Sequence, residues 1–270
     1  AAFIIAGNNL SKRFKLLNYF EGDGILIKNS ILTLEHKSSG EPFMSAAVRI
    51  SSEYLNRLTS GVYQKPDYSM NFPAKLITTK LTWSDLILPM EVQEEIENII
   101  TWIKNSKVIL EDWGLDKVIK PGYRSLFYGP PGTGKTLTAS LIGSIVGADV
   151  YRIDLSMVVS KYIGETEKNL ANVFDQAQSK NWILFFDEAD ALFGKRTQAS
   201  SSNDRYANQE ISYLLQRVED FPGVVILASN IKANIDEAFS RRFQSIVYFP
   251  TPDNEHRLLL WKRILGNTQN

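Results

Sequence analysis

Cysteine is absent from the 270-residue chain, which excludes disulfides, thiolate metal sites and cysteine nucleophiles together. Histidine is nearly absent: His36 and His256 are the only two, and their separation is no ligand spacing, which argues against zinc chemistry. Charge of one sign is not in excess, with 30 Lys and Arg against 30 Asp and Glu. Such a chain has no global field drawing it to nucleic acid or to an anionic membrane. Nor does net charge keep copies apart, so self-association is easy. Long hydrophobic runs are also missing: apolar stretches such as residues 224–228 are strand-length, too short to span a bilayer. The apolar residues 1–6 lack the basic region of a secretory signal. The expected address is the cytoplasm. What the chain does have is core material, 44% apolar and 11% aromatic residues, enough to exclude bulk disorder.

Three textures follow one another. Residues 1–78 combine a basic helical piece at 11–20, apolar alternation at 25–27 and 31–34, and a second amphipathic piece at 52–58. Residues 61–73, with Pro66, Asp67, Asn71 and Pro73, have little periodicity and suggest a linker. This stretch predicts a small α+β accessory domain. Residues 79–252 alternate short apolar strands with amphipathic helices, the pattern of a parallel sheet with crossover connections. Strands are expected at 125–128, 149–153, 182–186, 224–228 and 246–249. The fold class is therefore α/β, a five-stranded doubly wound parallel sheet. Thr251-Pro252-Asp253 breaks the pattern, and a further helix is expected within 253–270.

Between the first of these strands and the next helix stands Gly129-Pro130-Pro131-Gly132-Thr133-Gly134-Lys135-Thr136, followed by Leu137. Glycines let successive backbone N–H groups turn towards phosphate oxygens, and a helix N-terminus adds partial positive charge. Lys135 would reach the β- and γ-phosphates, and the Thr136 hydroxyl would ligate Mg²⁺. A strand before it and a helix after it make this a nucleotide site and not merely a glycine-rich turn. A second element agrees. The apolar strand around residues 183–186 ends in Asp187-Glu188, where open α/β sheets bind ligands. Asp187 would hold Mg²⁺, and Glu188 would polarise the attacking water. Taken alone, the two acids could equally cap the next helix.

These residues resemble an AAA ATPase, from about Leu81 to the end of the chain. The phosphate loop, the strand ending Phe186-Asp187-Glu188-Ala189-Asp190 and Ala228-Ser229-Asn230 match that family in order and spacing. The resemblance implies that Asn230 positions the water and reads the γ-phosphate. It implies that Arg241 and Arg242, in Ser240-Arg241-Arg242-Phe243, reach into a neighbouring subunit's nucleotide as arginine fingers. Lys161-Tyr162-Ile163-Gly164 resembles the first pore loop of protein-remodelling members, with Tyr162 gripping an extended polypeptide; Tyr162 as a packed core residue is the competing reading. Residues 195–205 stand where a second pore loop belongs. Asp85-Leu86-Ile87 resembles the segment around adenine, although Leu88 and Pro89 replace the usual glycines. Only the start of the family's helical lid is expected in the chain. Within the family, residues 123–128 and 238–243 look most like bacterial single-ring members, some encoded with contractile injection systems.

The resemblance thus implies an ATPase using ATP and Mg²⁺, assembled as a hexameric ring that remodels or threads a polypeptide substrate or partner complex. A DNA-handling relative of helicase-loader or clamp-loader type is the alternative. The zero net charge and Tyr162 favour protein over nucleic acid, and no membrane role is expected.

Overall fold

The computed structural model describes residues 7, 9–20, 24–28, 31–35, 47–61, 65–66, 68–69, 72–155, 165–190, 202–230 and 240–266. The chain divides into two compact units, Ala1–Pro66 and Asp67–Asn270. The first contains α1 (Leu10–Phe20), a single helical turn α2 (Ile25–Lys28), β1 (Leu32–Glu35), β2 (Ala47–Ile50) and α3 (Ser52–Ser60). β1 and β2 pair antiparallel, Leu32 opposite Ile50 and Glu35 opposite Ala47. Residues 25–27, whose apolar run suggests a strand, are helical. Three apolar residues cannot separate a two-residue period from one helical turn, and the Ile27 N–H bonds the Gly24 carbonyl at 3.0 Å. Ser51 caps α3, its hydroxyl 3.5 Å from the Tyr54 N–H, and Gly61 ends it at φ +69°.

The second unit begins with a strand that composition concealed. β3 (Lys75–Ile77) pairs antiparallel with β5 (Val150–Asp154). It falls within the first stretch as drawn from sequence, and gives the sheet six strands where five were expected. Its signal is three residues long, and Phe72 and Ala74 just before it are buried in the sheet's core. The remaining strands are β4 (Tyr123–Tyr128), β6 (Ile183–Asp187), β7 (Val224–Ser229) and β8 (Ser245–Tyr248). The order is β3-β5-β6-β7-β4-β8, with every pair beyond β3 parallel.

Alternation along these strands feeds two cores. On one face, Tyr151, Ile153, Leu184, Phe186, Val225 and Leu227 pack against α6 (Glu165–Lys180) and α7 (Ser202–Asp220). On the other, Val150, Ile183, Phe185 and Ile226 pack against α4 (Met90–Lys107) and α5 (Lys135–Val146). The stripe Val92, Ile96, Ile99 and Ile100 is what orients α4. The chain leaves β4 for β5 three strands away and returns through β6 and β7 to β4's side, then places β8 on β4's other flank. The C-terminal end of β4 is thus a switch point, where such sheets bind ligands. α8 (Asn254–Gly266) follows β8 and leaves Leu258, Leu259, Trp261, Ile264 and Leu265 exposed.

Phe174 on α6 is buried and packs on Phe186 and Phe221, with ring centroids 5.8 and 5.5 Å away. Phe174→Ala is expected to destabilise the second unit by about 3–5 kcal/mol in urea titration. Leu259→Ala, at a 50% exposed position, is expected to change stability by no more than about 0.5 kcal/mol.

Candidate nucleotide site

The site is built from the ends of three parallel strands. β4 stops at Tyr128, and Gly129 takes φ +146° because no other residue fits: a Cβ there would lie 2.1 Å from the Phe249 carbonyl oxygen. That close approach locks the loop's entrance onto the chain leaving β8, and the Gly129 N–H also bonds the Ser229 carbonyl at 3.2 Å. The loop closes on Thr133, whose hydroxyl donates to the Pro130 carbonyl at 2.9 Å. Gly134, at φ +99°, caps α5 and accepts the Thr138 N–H at 2.8 Å.

Lys135, the first residue of α5, is buried. Its ammonium donates to the carbonyls of Gly129 at 2.7 Å and Pro130 at 2.9 Å, and to Asn230 Oδ1 at 3.0 Å. All three protons are used, as a buried cation requires. Burial pulls the ammonium below the ordinary lysine pKa, while the charges of Asp187 and Asp190 oppose that shift.

β6 ends at Asp187, whose Oδ1 accepts the Glu188 N–H at 3.0 Å. Asp187 Oδ2 lies 2.9 Å from Arg152 Nε on β5. Glu188 is exposed and left-handed at φ +53°, a backbone that costs an L-residue roughly 1–2 kcal/mol. The bend is held from both sides, by Asp187 Oδ1 on the Glu188 N–H and by the Ala189 N–H on the Ala228 carbonyl at 2.8 Å. Asp190 Oδ1 accepts the Asn230 N–H at 3.0 Å and also the Ser229 hydroxyl. Asn230 therefore bridges the phosphate-loop lysine and the end of β6.

The residues singled out from sequence separate into groups. Gly129, Pro130, Gly134, Lys135, Asp187 and Asn230 converge, with Thr136 and Leu137 opening α5 behind the loop. Leu86 approaches the loop too, its Cδ1 3.8 Å from where a Cβ on Gly134 would stand. The Asp85 carboxylate is engaged elsewhere. Its Oδ2 accepts the Thr82 N–H and hydroxyl, both at 2.7 Å, and its Oδ1 lies 3.0 Å from Arg263 Nε on α8. Those Thr82 bonds, then the Arg263 charge, hold Asp85 below the usual aspartate pKa against some burial. Arg241 and Arg242 lie at the other edge of the sheet. They precede β8, whose Ser245 pairs with Ser125, whereas the phosphate loop follows the Tyr128–Tyr248 end. About four residues of strand, roughly 13 Å, lie between. Arg242 Nη1 pairs with Glu219 Oε1 at 2.7 Å, and Gln244 is stapled to β4 through Arg124. Lys161, Tyr162, Ile163 and Gly164 lie outside the described residues, as do residues 195–201. Asp190 and Ser229 stand in the motifs read from sequence without a role assigned to them, and Arg152 was not singled out.

A glycine loop between strand and helix, a buried lysine beneath it and a neighbouring strand ending in acids define a P-loop nucleotide-binding protein. Residues 125–251 match the family described as "ATPase family associated with various cellular activities (AAA)", and the chain carries an AAA ATPase domain. Cell division protein C of Sulfolobus acidocaldarius is 38% identical over 141 residues, 49% of this chain and 38% of that protein. Vacuolar protein sorting-associated protein 4 of Dictyostelium discoideum is 30% identical over 203 residues, 73% of this chain and 44% of that protein. The chain thus spans less than half the length of either relative. Among solved structures, the FIGL-1 AAA domain in complex with ADP superposes with a TM-score of 0.56 at 27% identity, covering 72% of this chain and 63% of that one.

Nucleotide binding is expected to depend on the Lys135 ammonium. Lys135→Ala should weaken the binding of a fluorescent ADP at least about tenfold, since a charged hydrogen bond to phosphate contributes roughly 1.5–3 kcal/mol. Unchanged binding would place the phosphates elsewhere.

Proposed function

We propose that the protein is an ATP-hydrolysing ring motor that remodels or threads protein substrates. The observation that carries the ring is the separation of Arg241 and Arg242 from their own phosphate loop by the length of the β4–β8 pair. That separation supports a role for them at a nucleotide held by a neighbouring copy rather than at their own. A hexamer is the assembly that the likeness to AAA proteins favours. An arginine supplied in trans neutralises charge on the transferring phosphoryl group and contributes roughly 10³–10⁵ in rate.

Within one subunit, the N–H groups of Gly132, Thr133 and Gly134 and the Lys135 ammonium receive the phosphates, the lysine exchanging its carbonyl partners for phosphate oxygens. Asp187 and the Thr136 hydroxyl are hard oxygen donors of the kind Mg²⁺ takes. Bound by them, Mg²⁺ would offset charge on the β- and γ-phosphates. Glu188, exposed on its bent backbone, takes a proton from the attacking water. Asn230, fixed by Asp190, orients that water and reports the γ-phosphate to Lys135. Leu86 and Ile87 supply apolar contact for the base, with Asp85 bracing the segment through Thr82 and Arg263.

The protein-directed part of the proposal rests on Lys161, Tyr162, Ile163 and Gly164 as a pore loop and on the balanced charge of the chain. Relatives in this family include proteins named for vacuolar protein sorting and, from Methanoregula boonei, a proteasome-activating nucleotidase 38% identical over 151 residues. Among the described residues no helix is long and apolar enough to cross a membrane, and the proposed setting is cytoplasmic.

Glu188→Gln is expected to retain ATP and lose turnover, because Lys135, Thr136 and Asp187 still hold the nucleotide. Wild-type hydrolysis by this variant would remove Glu188 from the mechanism. Mixing Lys135→Ala chains with Arg241→Ala/Arg242→Ala chains, each inactive alone, is expected to restore part of the activity, since some mixed interfaces pair an intact loop with intact arginines. No recovery in rings shown by mass to be mixed would rule out action in trans.

A further inference from the structure

Arg152 has no part in the mechanism above, yet it contacts one of its central groups. In the β5–β6 pair, Asp154 stands opposite Asp187 and Arg152 opposite Phe185. Residues two apart on a strand share a face, so Arg152, Asp154 and Asp187 stand together on the face opposite to Tyr151, Ile153 and Phe186. Two carboxylates on adjoining strands repel one another, and a divalent cation is the natural ligand for such a pair. Instead, Arg152 Nε lies 2.9 Å from Asp187 Oδ2. That nitrogen is buried and not aligned for a hydrogen bond, although the Arg152 side chain as a whole is 40% exposed. The contact is therefore one of charge, and an exchangeable one. The second oxygen of Asp187 is taken by the Glu188 N–H. Both oxygens of the acid thus have partners before any nucleotide arrives.

We propose that Arg152 is a positioning counter-ion for Asp187: it fixes the carboxylate and keeps divalent metal from settling there until nucleotide phosphates bring the metal in. The inference rests on the reading of Asp187 as a metal-holding residue. The cation's positive charge next to Asp187 opposes a bare metal ion. Once phosphates add their own negative charge and oxygen donors, the balance turns in the metal's favour. Metal occupancy then follows nucleotide occupancy. Arg152 touches no reacting atom in this account, and its effect passes entirely through Asp187.

Removing the guanidinium should therefore produce a gain, which a merely structural role would not. Mn²⁺ binding to the nucleotide-free 270-residue chain, followed by electron paramagnetic resonance, is the test. Arg152→Gln is expected to bind Mn²⁺ at least about tenfold more tightly than the wild type, since it removes a positive charge that repels a cation at the same carboxylate from contact distance. Arg152→Lys, which keeps a positive charge, is expected to stay near wild type. It carries the test if the glutamine variant fails to fold: tightening as large as tenfold in the lysine variant would show that charge is not what holds the metal off. In Arg152→Gln/Asp187→Asn the added affinity should vanish. Equal Mn²⁺ affinity in wild type and a folded Arg152→Gln overturns the inference. The underlying reading is judged separately by Asp187→Asn alone. If that change leaves the Mg²⁺ dependence of ATP binding intact, Asp187 is not the metal-holding residue and the inference falls with it.

Discussion

The buried ammonium of Lys135 holds the site together before any ligand arrives. It draws in two carbonyls of the phosphate loop and the side chain of Asn230. Asn230 is fixed in turn by Asp190, which also takes the Ser229 hydroxyl. Ends of β4, β6 and β7 are thereby linked through one charge. A buried cation is expensive unless every proton has an acceptor, so the loop cannot open without either a phosphate or water replacing those acceptors. Under the proposed function, phosphate oxygens would replace those lysine partners. In that proposal, loss of the γ-phosphate is felt at Asn230 through the Lys135 ammonium.

A second constraint is the direction of the sheet. Parallel strands send all their C-terminal ends to one edge, and there the loop, Asp187, Glu188 and Asn230 collect. The segment carrying Arg241 and Arg242 enters β8 from the opposite edge, braced by Arg242 on Glu219 and by Gln244 on the Arg124 backbone. Arg124 is itself buried and donates to the Glu219 carbonyl at 2.8 Å. The chain therefore has its candidate nucleotide site at one edge of the sheet and Arg241 and Arg242 at the other. Under the proposed function, this geometry makes a subunit complete only beside another copy.

Much of this was legible in the sequence because the signals were local. Strands β4 to β8 fall within two residues of where the apolar runs put them, since strands buried on both faces have sharp polar ends. The phosphate loop was readable because Gly129 and Gly134 occupy backbone positions that few other residues tolerate. What escaped depends on strand register, which no local pattern encodes. Arg152 reaches Asp187 only because β5 and β6 pair as they do, and Asp190 meets Ser229 and Asn230 only across the β6–β7 junction. β3 escaped for a different reason: Lys75, Leu76 and Ile77 are too few to establish a period. The carboxylate contacts of Asp85, in the segment read as packing around adenine, were equally hidden: its partners Thr82 and Arg263 stand 3 and 178 residues away along the chain.

The central claim is that hydrolysis requires neighbouring subunits, and its most direct test is ATP turnover per subunit measured across a wide range of chain concentrations, with and without an unfolded polypeptide. The account predicts that the specific rate climbs with concentration as rings assemble, and climbs further when polypeptide is present. A specific rate that stays constant from the most dilute solution to the most concentrated, with the chain monomeric throughout, would contradict it.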